Sequence, residues 1–270
     1  MKLIEGTLIT VRTLADDFRR LGVADGMTVL VHSSFKSLGS WVAGGPPAVI
    51  LALEEALGAE GTLMMPTHST DLSDPAGWSR PPVPQEWWTA IREETPAYDK
   101  TLTLTRGMGI LPETFRRQRG TRRSAHPLYS FAARGPAAER LTSAHPLPYG
   151  LGDDSPLARL YDSGGMVLLL GVGHENNTSL HLSEYRADWP GRQTETAGAP
   201  VREDDGARRW RQFPDLQWDS DDFALIGAAY ESETGVLRRG RVAGAEAMLM
   251  PQRSLVDYGV EWIERNRAGE

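Results

Sequence analysis

His181 and Glu184 stand three residues apart at the end of the stretch 166–184, MVLLLGVGHENNTSLHLSE. If this part of the chain is helical, the two side chains lie on one face within reach of each other. An imidazole beside a carboxylate can act as a general base whose orientation the carboxylate fixes. A lone histidine can instead pack into a core, here between Leu180 and Leu182, so the surrounding elements must decide between the two roles.

The chain around this pair predicts a strand, a turn and a helix. Residues 166–170 and Val172 are almost continuously apolar, which is typical of a strand buried on both faces of a parallel or mixed sheet. Residues 176–179 can each accept a hydrogen bond from the free amides that open a helix, so we expect a helix to begin near Thr178. Ligands of open α/β sheets bind at the carboxyl ends of the strands, and this helix would bring His181 there.

Two further predicted strands, residues 27–31 and 62–65, also lead into polar residues. These residues carry hydroxyl or imidazole groups: His32, Ser33 and Ser34 after the first strand, and Thr67, His68 and Ser69 after the second. Hydroxyls at strand ends can hold the amides of a bound cofactor or donate to an oxyanion. They can equally cap the turns that follow, and residue type alone favours that structural role.

Helix patterns alternate with the strands, which indicates an α/β fold. They occupy residues 10–21, 44–57, 109–119, 136–141 and 156–161, while 128–133 fits a strand, 242–250 a helix or a strand, and 255–263 a terminal helix. With 270 residues, 40% of them hydrophobic, we expect a single domain over residues 1–270. We expect residues 71–100, rich in proline and tryptophan, to form an irregular loop on the substrate side, and 190–235 to be a variable acidic region.

Composition excludes several classes of function. The chain has no cysteine, so disulfides, thiolate metal sites and a cysteine nucleophile are not available. No G-x-S-x-G elbow occurs, which disfavours a serine hydrolase. The six histidines are scattered without ligand-like spacing, so we expect no metal.

The charge and hydropathy patterns predict the kind of partner. No signal peptide and no run of eighteen apolar residues occur, so we expect a soluble, cytoplasmic protein without a membrane partner. A net charge of -7 argues against non-specific binding to nucleic acid and is compatible with a cationic small molecule. The acidic clusters after Pro190 either form an exposed face or line a pocket for a polycation.

A basic run precedes the predicted strand at 128–133. It contains Arg116, Arg117, Arg119, Arg122 and Arg123. Such a run is usually a solvated face, but the turn at 124–127 that follows makes a phosphate-binding role a competing interpretation.

Five segments in order along the chain resemble motifs of one family. They are VHSSFKSLG (31–39), GTLMMPTHS (61–69), TRRSAHP (121–127), DSPLARL (154–160) and LLLGVGHENNTSLHLSE (168–184), with a looser match in DDFALIGAAYE (221–231). Together they closely resemble the aminoglycoside 3-N-acetyltransferases and the related antibiotic N-acetyltransferases that use acetyl-coenzyme A. The resemblance implies a three-layer α/β/α sandwich around a central mixed sheet, distinct from the common N-acetyltransferase fold, and direct transfer without an acyl-enzyme.

The resemblance also implies roles for individual residues. The family's T-x-x-H-x-x-E motif falls on Thr178, His181 and Glu184, which makes His181 the base that deprotonates the attacking amine and Glu184 the group that stabilises the imidazolium. We assign Thr178 as the donor to the thioester oxygen. The family's coenzyme site falls on Ser33, Ser34, Thr67, Ser69, Arg122, Ser124, His126 and Ser155. Candidates for contact with a polycationic substrate are Asp71, Asp221, Asp222 and Glu231.

The sequence therefore leads to acetyl transfer from acetyl-coenzyme A to the 3-amino group of an aminoglycoside, by a monomer or homodimer without a metal. A second hypothesis keeps the chemistry but acylates a different amine. A third is a protein that binds aminoglycosides without turnover; the presence of both His181 and Glu184 weighs against it, because sequestration needs no base.

Overall fold

The structure, a computed structural model, describes residues 6–267 and contains one large mixed sheet and one hairpin. The strands are β1 (Thr28–Ser33), β2 (Thr62–Pro66), β3 (Arg122–Arg123), β4 (Phe131–Arg134), β5 (Met166–Leu170), β6 (Thr194–Arg202), β7 (Arg208–Leu216), β8 (Arg238–Val242) and β9 (Ala245–Pro251). The large sheet has seven strands in the order β3-β4-β2-β1-β5-β9-β8, and β6 pairs with β7 in the hairpin. The segment 242–250, which fitted either a helix or a strand, is therefore mostly strand.

The helices follow most of the predicted patterns. They are α1 (Val11–Leu21), α2 (Pro46–Leu57), α3 (Trp88–Glu94), α4 (Ile110–Phe115), α5 (Ala138–Thr142), α6 (Pro156–Asp162), α7 (Ser179–Arg186), α8 (Phe223–Thr234) and α9 (Gln252–Asn266). None of the helices in residues 6–267 is long and apolar enough to cross a membrane.

Helices cover both faces of the large sheet, because alternate strand residues point to opposite sides. On one face Leu30 and Leu169 pack with buried residues of α5 to α9. On the other face Val29 and Leu168 pack with buried residues of α1, α2 and α4. This arrangement confirms the predicted three-layer α/β/α sandwich with a central mixed sheet.

The middle of the sheet is parallel and creates the edge at which a ligand is expected. Strand β1 pairs in parallel with β2 on one side and with β5 on the other. The three strands therefore end at the same edge, at Ser33, Pro66 and Leu170. The helices that follow β1 and β5, α2 and α7, cover opposite faces of the sheet, which is the topology that opens a crevice between strand ends.

Segment 71–100 differs from its prediction. Its proline density predicts irregular structure throughout, and this is wrong for α3, which forms between Pro84 and Pro96 where no proline interrupts the backbone. Arg92 in α3 reaches back to Asp74, with Nη2 2.7 Å from Oδ1. The segment is thus partly helical and tied to itself by this ion pair.

The hairpin β6-β7 was not predicted from the sequence, because charged residues mask its strand pattern. Much of β7 is exposed, and its outer end is lined by pairs of Arg209 with Asp205 and of Arg211 with Glu203. A strand that faces solvent over half its length lacks the apolar run from which buried strands are predicted.

Helices α7 and α9 pack directly against each other at Gly259. A Cβ atom on Gly259 would lie 2.4 Å from Ser183 Oγ and 2.9 Å from Ser183 Cβ. Because α7 carries His181 and Glu184, this close approach positions the candidate dyad relative to the end of α9.

Gly259→Ala should therefore destabilise the protein. Overpacking costs about 1–3 kcal/mol, which exceeds the roughly 1 kcal/mol that alanine gains over glycine inside a helix. Urea denaturation measures the difference in the free energy of unfolding, and Glu261→Ala on the exposed face of α9 serves as the control. Adding Ser183→Gly to Gly259→Ala removes the clashing atoms, so the two changes should couple favourably; strictly additive losses would contradict the proposed contact.

Candidate active site

Helix α7 places the candidate dyad at the edge where the parallel strands end. It begins at Ser179, so His181 lies in its first turn and Glu184 in its second. Asn177 Oδ1 accepts a hydrogen bond from Ser179 N–H at 3.2 Å and thereby satisfies one of the free amides of the helix start. The helix thus begins beside Thr178, as predicted.

His181 and Glu184 are joined by a short hydrogen bond. His181 Nδ1 lies 2.7 Å from Glu184 Oε2. The other oxygen, Glu184 Oε1, accepts hydrogen bonds from Asp219 N–H at 2.8 Å and from Arg267 Nη1 at 2.7 Å. Donors on both oxygens fit an ionised carboxylate, which accepts the Nδ1 proton and leaves Nε2 as the basic nitrogen of the ring.

Aromatic rings fix the plane of His181. Trp218 and Phe223 pack edge to face against it, with ring centroids 4.4 and 4.8 Å away. Within residues 6–267, Nδ1 is the one ring nitrogen of His181 with a hydrogen-bond partner. The arrangement holds the imidazole rigidly while keeping Nε2 for a proton from elsewhere.

A cavity of about 350 Å³ lies at the ends of β1 and β2 and the start of α7. Its polar lining includes His32, Ser33, Ser34, Asn176 and Thr178. His32 Nε2 and Ser33 Oγ are buried and have no hydrogen-bond partner among the described residues. Buried polar atoms are normally paired, so two unpaired atoms in one cavity mark a place where a ligand can supply the partner.

The histidines near this cavity are held neutral. Burial, reinforced by the nearby His181, lowers the pKa of His32 to about 3. Burial, again with His181, lowers the pKa of His68 well below its usual value. His68 Nε2 is also buried without a partner in the described chain. Both rings are therefore neutral near pH 7.

Two of the predicted coenzyme residues, Ser33 and Ser34, line this one cavity together with Thr178, the predicted donor to the thioester oxygen. Thr67 and Ser69 lie just after β2, but their hydroxyls form hydrogen bonds within the protein. Thr67 Oγ1 is 3.1 Å from Ser130 Oγ, and Ser69 Oγ accepts a hydrogen bond from Arg123 Nη2 at 2.7 Å while donating to Leu104 O. Arg123 Nη2 also donates to Thr67 O at 2.7 Å.

Three other predicted coenzyme residues are also engaged internally. Ser124 Oγ pairs with His145 Nδ1 at 2.9 Å. Nδ1 of His126 accepts hydrogen bonds from two backbone N–H groups, and its Nε2 lies 3.1 Å from Leu147 O. Burial lowers the pKa of His126 to about 4. Ser155 caps α6 by accepting from two amides, as the Ser-Pro start of that helix predicts. Ser124 and His126 thus use their polar atoms within the protein, whereas the Ser155 hydroxyl, which accepts both of its hydrogen bonds, still has a proton to donate.

Arg122 lies in a second depression, of about 380 Å³, that is dominated by positive charge. It is lined by Lys100, Thr101, Arg116, Arg117, Thr121, Arg122 and Arg123. Arg116 and Arg117 pair with Glu113, and Arg122 pairs with Glu139 at 2.5 Å. Five cations thus outnumber the carboxylates of Glu113, Glu139 and Asp99, which leaves an excess of positive charge beside α4. The other end of this helix lines the first cavity.

The predicted substrate residues lie in different places. Asp222 lies near the dyad, because both its oxygens accept hydrogen bonds from Arg267, which also donates to Glu184. Asp221 is exposed, Asp71 pairs with Arg106 at 3.1 Å, and Glu231 pairs with Arg239 beside a separate depression.

Sequence reasoning missed three residues whose side chains contact the dyad directly: Trp218, Phe223 and Arg267. Trp218 and Arg267 carried no signal, since neither belongs to a recognisable motif, whereas Phe223 lies within the looser match 221–231. His32 and His68 were named at strand ends but were not linked to His181, although strand-end position is itself a signal for residues that share one edge. No group of three or more metal-binding side chains is placed to hold an ion in the part of the chain that the structure describes.

Comparisons with known proteins identify the family of the chain. A family model described as aminoglycoside 3-N-acetyltransferase matches residues 30–264. The chain is 42% identical to the SPbeta prophage-derived aminoglycoside N(3')-acetyltransferase-like protein YokD of Bacillus subtilis, covering 98% of this chain and 97% of that protein. It is 40% identical to aminoglycoside N(3)-acetyltransferase VII of Streptomyces paromomycinus, covering 97% and 94%.

Solved structures superpose over nearly the whole chain. The crystal structure of YokD gives a TM-score of 0.94 at 41% identity, covering 97% of this chain and 96% of that one. AAC-IIIb in a binary complex with CoASH gives 0.85 at 34% identity, covering 97% and 98%. Sisomicin-bound AAC-VIa gives 0.87 at 30% identity, covering 97% and 100%. The chain therefore belongs to the aminoglycoside 3-N-acetyltransferase family and is an acetyltransferase.

Proposed function

We propose that the protein transfers the acetyl group of acetyl-coenzyme A to the 3-amino group of an aminoglycoside, with His181 as the general base. The observation that carries this proposal is the buried His181–Glu184 pair, in which Nε2 of His181 has no hydrogen-bond partner among the described residues. The pair lies on α7, and Thr178, which directly precedes this helix, lines the cavity at the strand ends. The relatives named for CoASH and sisomicin support the two classes of ligand.

The residues present fit coenzyme A. Its pantetheine arm carries amides that can pair with the unpartnered His32 Nε2 and Ser33 Oγ, and its phosphates suit the cationic depression around Arg122. Ser34 and Thr178 supply further hydroxyls in the cavity. Bound coenzyme supplies the acetyl group as a thioester, with a thiol as the leaving group.

The residues of the chain then have distinct tasks. An ammonium cannot attack a thioester, so His181 Nε2 first removes a proton from it. Glu184 stabilises the imidazolium through the 2.7 Å contact to Nδ1 and keeps the ring in the tautomer that presents Nε2. The Thr178 hydroxyl, at the helix start, is our candidate donor to the thioester oxygen as negative charge develops there. Asp221, which is exposed, would attract a remaining ammonium group of the substrate directly. Asp71, Asp222 and Glu231 would do so only in exchange for their arginine partners.

Substrate class is tested first. Thiol release from acetyl-coenzyme A should be seen with aminoglycosides that carry a free 3-amino group and should be absent with those in which this amine is missing or blocked. The paired panel isolates the acceptor amine, because the other ammonium groups remain. Silence across the first set, with coenzyme A still bound in calorimetry, would direct the search to other amines.

His181→Ala should lower kcat by about 10²–10⁴-fold, the range typical for loss of a general base. Affinity for coenzyme A should stay within about twofold, since a base acts on the transition state rather than on cofactor binding. Steady-state kinetics and calorimetry on the same preparation measure both quantities. A rate near that of the wild type would remove His181 from the mechanism.

Arg122→Ala should weaken coenzyme A binding by about 5–30-fold, as expected when a charged phosphate contact worth about 1–2 kcal/mol is lost. Arg119→Ala is the matched control, because Arg119 belongs to the same basic run but does not line the depression. Equal affinities of the two variants, measured by calorimetry, would assign Arg122 to the solvated surface.

A further inference from the structure

Arg267, which directly follows α9, directs its guanidinium into the protein rather than into solvent. Its side chain is 13% exposed. Nε and Nη2 donate to the two oxygens of Asp222 at 2.7 and 2.6 Å, Nη1 donates to Glu184 Oε1 at 2.7 Å, and Nη2 donates to Asp219 O at 2.7 Å. The guanidinium also lies over the ring of Trp189, 5.5 Å from its centroid. Four hydrogen bonds and an aromatic face leave it little freedom.

This contact fixes Glu184 from the side opposite His181. Glu184 is fully buried, so its rotamer depends on the groups that bond its two oxygens. Oε2 faces His181, while Oε1 is held by Arg267 and by the backbone N–H of Asp219. A carboxylate held at both oxygens cannot turn away from the ring that it orients.

Arg267 also sets the charge around the imidazole. Glu184 and Asp222 bring two negative charges into direct contact with Arg267, which offsets one of them. The other titratable groups near His181 come from separate elements: Asp215 in β7, His32 in β1 and His68 after β2. Asp219, before α8, contributes its backbone N–H to Glu184, while its exposed carboxylate accepts from Asp221 N–H. Burial raises the pKa of Asp215 to about 6 and keeps both histidines neutral.

A base must give up its proton near neutral pH before it can act. Two uncompensated carboxylates beside His181 would hold a proton on the ring and keep it inactive. We propose that Arg267 is a positioning residue for the His181–Glu184 dyad, which locks the rotamer of Glu184 and limits how strongly that carboxylate retains a proton on His181. The part of this inference that concerns catalysis rests on the proposed function, whereas the proton affinity of His181 does not.

The test is the proton titration of His181 in the substrate-free protein. NMR follows the imidazole signals, with the His181 resonance assigned by its loss in His181→Ala. Arg267→Gln should raise the titration midpoint by about one pH unit, a tenfold gain in proton affinity, because one positive charge has been removed. Arg267→Lys keeps the charge and should recover at least half of that shift.

The matched control is Arg265→Gln. Arg265 lies two residues earlier, and its pairing partner Glu261 is exposed, so the midpoint of His181 should not move. An unchanged midpoint in folded Arg267→Gln overturns the proposal and leaves Arg267 a structural link only. If Arg267→Gln does not unfold cooperatively, Asp222→Asn decides: removal of one negative charge should lower the midpoint, and an unchanged value overturns the proposal equally.

Activity provides a separate readout. The acid limb of kcat/KM should move to higher pH in Arg267→Gln by the same amount as the NMR midpoint, whereas a loss of packing alone would lower kcat without moving the limb. Absence of turnover by the wild-type protein with every aminoglycoside would reject the proposed function, and the NMR comparison would still decide the role of Arg267.

Discussion

The carboxylate of Glu184 is the constraint on which the site depends. It is fully buried, and a buried charge is tolerated only when it is paired and hydrogen-bonded. Its partners come from three parts of the chain: His181 in the same helix, the amide of Asp219 before α8, and Arg267 after α9. These hydrogen bonds connect α7, the segment before α8 and the residue after α9 through the single carboxylate of Glu184.

The sheet and the helix packing position the groups around Glu184 in different ways. Parallel strands β1, β2 and β5 bring His32, His68 and the start of α7 to one edge, which fixes where the dyad lies. Because Gly259 has no side chain, α9 packs close to α7. This close packing lets Arg267, which follows α9, reach Glu184 Oε1. The first is a property of topology, and the second depends on a single residue type.

Local features of the site could be predicted from the sequence. The spacing of His181 and Glu184 and the polar residues before them are encoded within one turn of helix, so strand, helix start and dyad were predictable together. The contact of Glu184 with Arg267 spans 83 residues and has no local signature. Arg267 also lies beyond the motifs within 31–184 and 221–231 on which the family resemblance rests, so the resemblance gave no guide to it. Ser124 and His126 show the converse: their types suited a ligand site, but the fold uses their polar atoms internally.

The neighbouring histidines support the proposal that His181 is the base, because they share its sheet edge but lack its carboxylate partner. His32 and His68 lie beside the same strand ends as His181, yet burial without a carboxylate partner lowers the pKa of both. In the described chain His181 is the histidine whose ring contacts a carboxylate, and the charge it gains on accepting a proton is therefore the one that the site can stabilise. Neutral neighbours keep that charge from being shared, while their unpartnered nitrogens remain available as donors or acceptors to a ligand. Three similar rings at one edge thus acquire different chemistry from the groups placed against them.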